Sequence, residues 1–161
     1  MIRRTLALAA FALSLGVATT ADAQDATPVA LGDADIVIVL VEDAGQVTTV
    51  DLGDAGPSAG DLIIWGPNPP HDETDSDTDA TTQGVCTALH SGDCLLIETI
   101  VFPDGSTLEL QGVQPGTPME STRSIVGGSG IYLGASGVVT VEPSADLSVW
   151  TKTFEIWLPG S

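Results

Sequence analysis

The sequence predicts an all-β protein, an antiparallel meander of short strands that closes on itself as a barrel. Three observations carry this reading. Helical periodicity is absent after Gln24, and β-branched and apolar runs recur instead, each closed by Gly, Pro, Asp or Ser. The connections are mostly short turns, which join antiparallel neighbours. A meander of this kind removes its exposed edges by closing into a barrel.

The first element is an address. Met1-Ile2-Arg3-Arg4 is a short basic start, Leu6 to Val17 is apolar but too short to span a bilayer, and Ala21-Asp22-Ala23 offers small residues to a signal peptidase. This predicts a signal peptide over 1–23, cleavage before Gln24, and a secreted or periplasmic protein that leaves the membrane after cleavage. Residues 24–34 read as a flexible N-terminal segment and 35–158 as the barrel domain. Strands are expected at about 35–42, 46–52, 61–65, 83–89, 94–102, 106–113, 121–126, 131–133, 137–142 and 148–158. Phe102-Pro103-Asp104-Gly105-Ser106 carries a hairpin mechanism, since Pro presets the first turn angle and Gly takes the positive one. Gly127-Gly128-Ser129-Gly130 lacks the Lys-Ser/Thr of a phosphate loop and reads as a turn needing positive backbone angles. Residues 66–82 form the one long irregular stretch.

Charge excludes whole classes of partner. The chain of 161 residues carries 4 basic and 22 acidic side chains, net −18, and the mature 138 residues keep only Arg123 and Lys152 as cations, net −19. No positive patch exists to neutralise phosphates, which excludes nucleic-acid binding and polybasic membrane docking. Such an acidic surface suits salty or extracellular surroundings. Several strands are apolar on both faces: Ile36, Ile38 and Leu40 alternate with Val37, Val39 and Val41, and Leu96 and Ile100 with Leu95, Ile97 and Val101. A barrel strand facing water alternates apolar with polar. The outer face should therefore be covered by a terminal segment or a second subunit, which predicts a homo-oligomer.

Cys86 and Cys94 flank a segment symmetric about His90, and a hairpin turning there brings the sulfurs within bridging reach on adjacent strands. The competing reading is a free Cys86 thiol used in chemistry. Asp75-Ser76-Asp77-Thr78-Asp79 alternates oxygens like the start of a calcium loop, but Ala80 replaces the turn glycine and Cys86 stands at the closing glutamate; a solvated acidic loop is the alternative. Gly56-Pro57-Ser58-Ala59-Gly60 matches the nucleophile-elbow spacing, yet a strand rather than a helix follows it. His71 and His90 lack the neighbours of a zinc site. No metal and no cofactor are expected. Glu98, among apolar neighbours, and Glu42, closing the first strand, either face outward or stand inside; inside, desolvation would tune them for acid–base work.

Gly60-Asp61-Leu62-Ile63-Ile64-Trp65, Gly84-Val85-Cys86, residues 102–112 and Ile125-Val126-Gly127-Gly128-Ser129-Gly130-Ile131-Tyr132-Leu133-Gly134-Ala135-Ser136-Gly137 occur in that order. In this the chain resembles the allene oxide cyclase and dirigent protein superfamily over residues 35–158. The resemblance implies an eight-stranded antiparallel barrel, commonly trimeric, with an apolar interior that holds a small apolar or aromatic molecule. It also implies one of two activities, cofactor-free isomerisation or cyclisation, or non-catalytic steering of a reactive intermediate; a purely structural barrel is the third reading. Cys86 matches the cyclase cysteine, and Glu42 and Asp43 lie near the first-strand acids. The dirigent acid aligns with Gln114, and Arg123 stands two positions closer to the double glycine than the dirigent arginine. The catalytic candidates are thus Glu42, Cys86 and Arg123, and the ligand contacts Trp65, Glu98 and Tyr132.

Overall fold

The computed structural model describes residues 32–160, so the expected signal peptide and most of segment 24–34 lie outside the described residues. Nine strands follow one another: β1 (Ile36–Asp43), β2 (Val47–Val50), β3 (Leu62–Asn68), β4 (Thr81–Ala88), β5 (Cys94–Val101), β6 (Thr107–Gln114), β7 (Ser121–Ser129), β8 (Ser136–Pro143) and β9 (Val149–Trp157). They form one curled antiparallel sheet in the order β1-β9-β8-β7-β6-β5-β4-β3-β2. Its edges are drawn together beyond β3, where Val41 and His71 exchange both backbone hydrogen bonds at 2.9 Å. The stretch 66–82 therefore does more than connect: Gly66, Pro67 and Asn68 extend β3 past a bulge, and His71 supplies the closing bridge.

Alternation decides what lies inside. On β1 Leu40 and Glu42 point inward, on β5 Leu96, Glu98 and Ile100, on β9 Lys152, Phe154 and Ile156, all of them buried. One end of the interior is packed solid around Ile100, Leu108, Leu110, Ile125, Val139, Phe154 and Ile156. The expected hairpin at 102–106 forms there: Gly105 adopts φ +83° and donates to Phe102 O at 2.9 Å, and Ser106 N donates to Asp104 Oδ1 at 2.9 Å.

Two expectations are corrected at the same end. Residues 130–132 form a short 3-10 turn rather than a strand, and the strand before it runs on through Gly127 and Gly128. Only Gly130 of that glycine run has positive φ, at +61°. Gly128 is needed for close approach instead: a Cβ there would stand 2.4 Å from Thr107 O and 2.8 Å from Tyr132 Cβ. The turn folds Tyr132 inward against Phe102, with ring centroids 4.8 Å apart, and plugs this end.

Candidate functional site

The other end is open. A cavity of about 450 Å³ lies between the β4–β5 and β6–β7 connections, represented at its mouth by Asp93 and Gly116, and the barrel wall. Asp93 Oδ1 accepts the Gly116 N–H at 3.1 Å, tying two rim loops together, and this with Ser91 holds its carboxyl below the ordinary range. The walls are mostly apolar: Trp65, Trp150, Ile63, Leu96 and the sulfurs of Cys86 and Cys94. Trp65 lies across Gly84, its pairing partner on β4, where any Cβ would meet the indole at 2.4 Å. A small residue on one strand thus lets a large ring lie flat on the next.

Cys86 and Cys94 form a disulfide with Cα atoms 5.6 Å apart. In the ladder Cys86 pairs with Leu96 and Ala88 with Cys94, so the bridge runs diagonally between β4 and β5 on their inner face. Cys86 therefore meets the cavity as a disulfide sulfur, and the free-thiol role is withdrawn because no thiol remains.

Three charged side chains, Glu42, Arg123 and Lys152, line the floor, and a fourth, Glu98, lies directly beneath them. Lys152 Nζ donates to both Glu42 Oε2 and Glu98 Oε1, and Arg123 Nη1 donates to Glu98 Oε2 at 2.7 Å. Asn68 Nδ2 donates to Glu42 Oε1 at 3.0 Å, and Arg123 Nη2 donates to Gln114 Oε1. Glu98 is wholly buried, and Glu42, Arg123 and Lys152 are each exposed by 4% or less. Burial by itself pushes the Glu42 carboxyl up, but the Lys152 ammonium, with hydrogen bonds from Lys152 and Asn68, outweighs it and leaves the group below the ordinary range. Desolvation lowers the Arg123 guanidinium, opposed by Glu98. Gly112 makes room for this arrangement, since a Cβ there would touch the Arg123 Cγ at 3.0 Å.

Of the residues singled out from sequence, Glu42, Arg123, Trp65 and Cys86 converge on the cavity. Glu98 lies beneath it as the anchor of both cations rather than as a lining contact. Tyr132 is corrected: it packs against Phe102 at the plugged end, away from the cavity. Sequence reasoning missed Lys152, Asn68 and Trp150. The signal for the first and last was present, because Trp150, Lys152, Phe154 and Ile156 alternate on one face of a strand. Asn68 sits in a Pro-rich segment without periodicity and had no such signal.

Two other candidates gain no support from the geometry. In the acidic stretch Asp72 Oδ1 accepts from Thr74 N, Thr74 Oγ1 and Ser76 N at 2.7–3.0 Å, and no group of acidic, His or Cys side chains able to hold a metal occurs among the described residues. Ser58 of the elbow-like pentapeptide hydrogen-bonds Asp61 and Leu52 O within its own turn.

The sequence matches no family model and no curated protein. Its fold does match solved structures. A pyocyanin demethylase superposes with TM-score 0.62 at 21% identity, over 75% of this chain and 99% of that one. A pterocarpan synthase dirigent protein gives 0.58 at 16%, over 78% and 85%, and the Diels Alderase AbmU from Streptomyces koyangensis gives 0.59 at 20%, over 81% and 72%. The fold is thus the allene oxide cyclase and dirigent type of antiparallel barrel, here with nine strands rather than the expected eight.

Proposed function

We propose that this protein is an exported barrel that binds a small apolar or aromatic molecule in its open end. One observation carries the reading: a buried cluster of four charged side chains, three of which line the floor, underlies an otherwise apolar cavity. Taking each ion out of water costs several kcal/mol, and well-packed hydrophobic residues of similar volume would often serve stability as well or better. Such a cluster in a concave site points to recognition or proton handling. The named activities of the structural neighbours, a demethylase, a Diels Alderase and a pterocarpan synthase, support small-molecule chemistry in such a barrel.

The test uses a neutral fluorescent probe, N-phenyl-1-naphthylamine. The protein is expected to bind it saturably, and Ala88→Trp, which narrows the cavity, is expected to weaken binding at least roughly tenfold while the melting temperature is retained. A response without saturation, or unchanged binding by a folded Ala88→Trp protein, overturns the reading. A second reading, cofactor-free isomerisation with Glu42 as the base, is favoured by the Glu42–Lys152 contact, which holds a carboxylate ionised at the cavity. It parts from simple binding at Glu42→Gln, which a binding module tolerates and an isomerase does not.

A further inference from the structure

Three features of the charge distribution bear on what that cavity accepts. The floor is neutral, because the formal charges of Glu42 and Glu98 are matched by those of Arg123 and Lys152. It also leaves N–H groups unused while every carboxylate oxygen already accepts a hydrogen bond. Each carboxylate is already engaged by a cation, whereas Lys152 gives only two of its three N–H groups to them. Arg123 gives one N–H to Glu98 and one to Gln114 of its five, which leaves one further N–H on each of its two Nη atoms. Outside, the field has one sign. Of the 22 acidic residues two precede the described region and two belong to the cluster; the remaining 18 are offset by no other lysine or arginine among the described residues. Asp93 puts one of those carboxylates at the mouth.

We propose that the cavity selects uncharged, ring-bearing molecules that carry a carbonyl-type acceptor oxygen, and turns away organic carboxylates of the same size. This names the ligand class of the binding site proposed above and rests on that proposal. An acceptor oxygen engages spare N–H groups held in apolar surroundings, where an unmet donor is costly. A carboxylate adds a third negative charge to a balanced cluster, loses its hydration, and must approach through a field of uniformly negative sign. Trp65 and Trp150 give flat rings a wall to lie against.

The experiment is calorimetric titration of the intact protein with three probes of one size, 1-acetonaphthone, 1-methylnaphthalene and 1-naphthoate, at about 20 mM and about 1 M NaCl. Acetonaphthone is expected to bind tightest. Methylnaphthalene, which lacks the acceptor, should bind about fivefold more weakly. Naphthoate should bind at least roughly tenfold more weakly at low salt, with the gap narrowing at high salt as the surface field is screened. Naphthoate binding as tightly as acetonaphthone at low salt overturns the exclusion of anions, and methylnaphthalene binding equally tightly overturns the acceptor; either result leaves the binding site standing. No binding by any of the three overturns the site and this selectivity together.

Discussion

Lys152 joins Glu42, 110 positions away, to Glu98, 54 positions away, and among the described residues it alone touches both carboxylates through an ion pair. Lys152→Met leaves two buried carboxylates short of a partner, and a stability loss of about 3–5 kcal/mol is expected from urea unfolding. Replacing Glu42 by Leu in the same protein should recover part of that loss, because Glu98 keeps Arg123. The pH dependence has a definite sign. The folded carboxyl of Glu42 titrates below its ordinary value, so its contribution is complete above about pH 4.5 and is lost as pH falls through the lowered folded value. Urea midpoints measured from pH 7 downward should decline below about pH 4.5, and Glu42→Gln should make the decline shallower. An unaltered slope in that variant would show that other carboxylates carry the acid sensitivity.

At the scale of elements, the β4–β5 hairpin is the wall that the cavity depends on most. Its turn is local: Gly92 adopts φ +87° and donates to Leu89 O at 3.0 Å, while Leu89 N donates to Asp93 O at 2.8 Å. The disulfide then fixes the two strands on the face that meets the cavity. Because it closes a short loop, Cys86→Ala/Cys94→Ala should cost about 2–3 kcal/mol in urea unfolding, mainly through a freer unfolded chain. The β5–β6 and β4–β5 turns were legible from Pro103, Gly105 and the symmetric cysteines, because turn chemistry is local. The 3-10 turn at 130–132 was not. Gly-Gly-Ser-Gly before an apolar triplet reads equally well as a hairpin, and only the packing of Tyr132 on Phe102 selects between them.

For the whole molecule, the outer sheet face raises the question of assembly. Ile64 pairs with Val85 and Val85 with Ile97, while Leu95 pairs with Val113; Ile64, Leu95, Ile97 and Val113 are exposed, and these five positions carry no carboxylate. On a surface otherwise so acidic, this patch is where two copies would meet with least repulsion. We expect sedimentation velocity at micromolar concentration to show an oligomer, and Ile97→Glu to shift it towards monomer; a wild-type protein that sediments only as monomer removes the expectation. The sequence by itself determined the all-β class and the acidic charge balance, because alternation, turn residues and charge counts are read without knowing the tertiary fold, while the barrel type came through the resemblance of ordered motifs and the cysteines allowed both a bridge and a free thiol. Only the tertiary structure decided which end is plugged and which is open. It alone brought Glu42, Glu98, Arg123 and Lys152 together, since ion pairs between distant strands depend on register and on how far the sheet curls, and neither is written in any one segment.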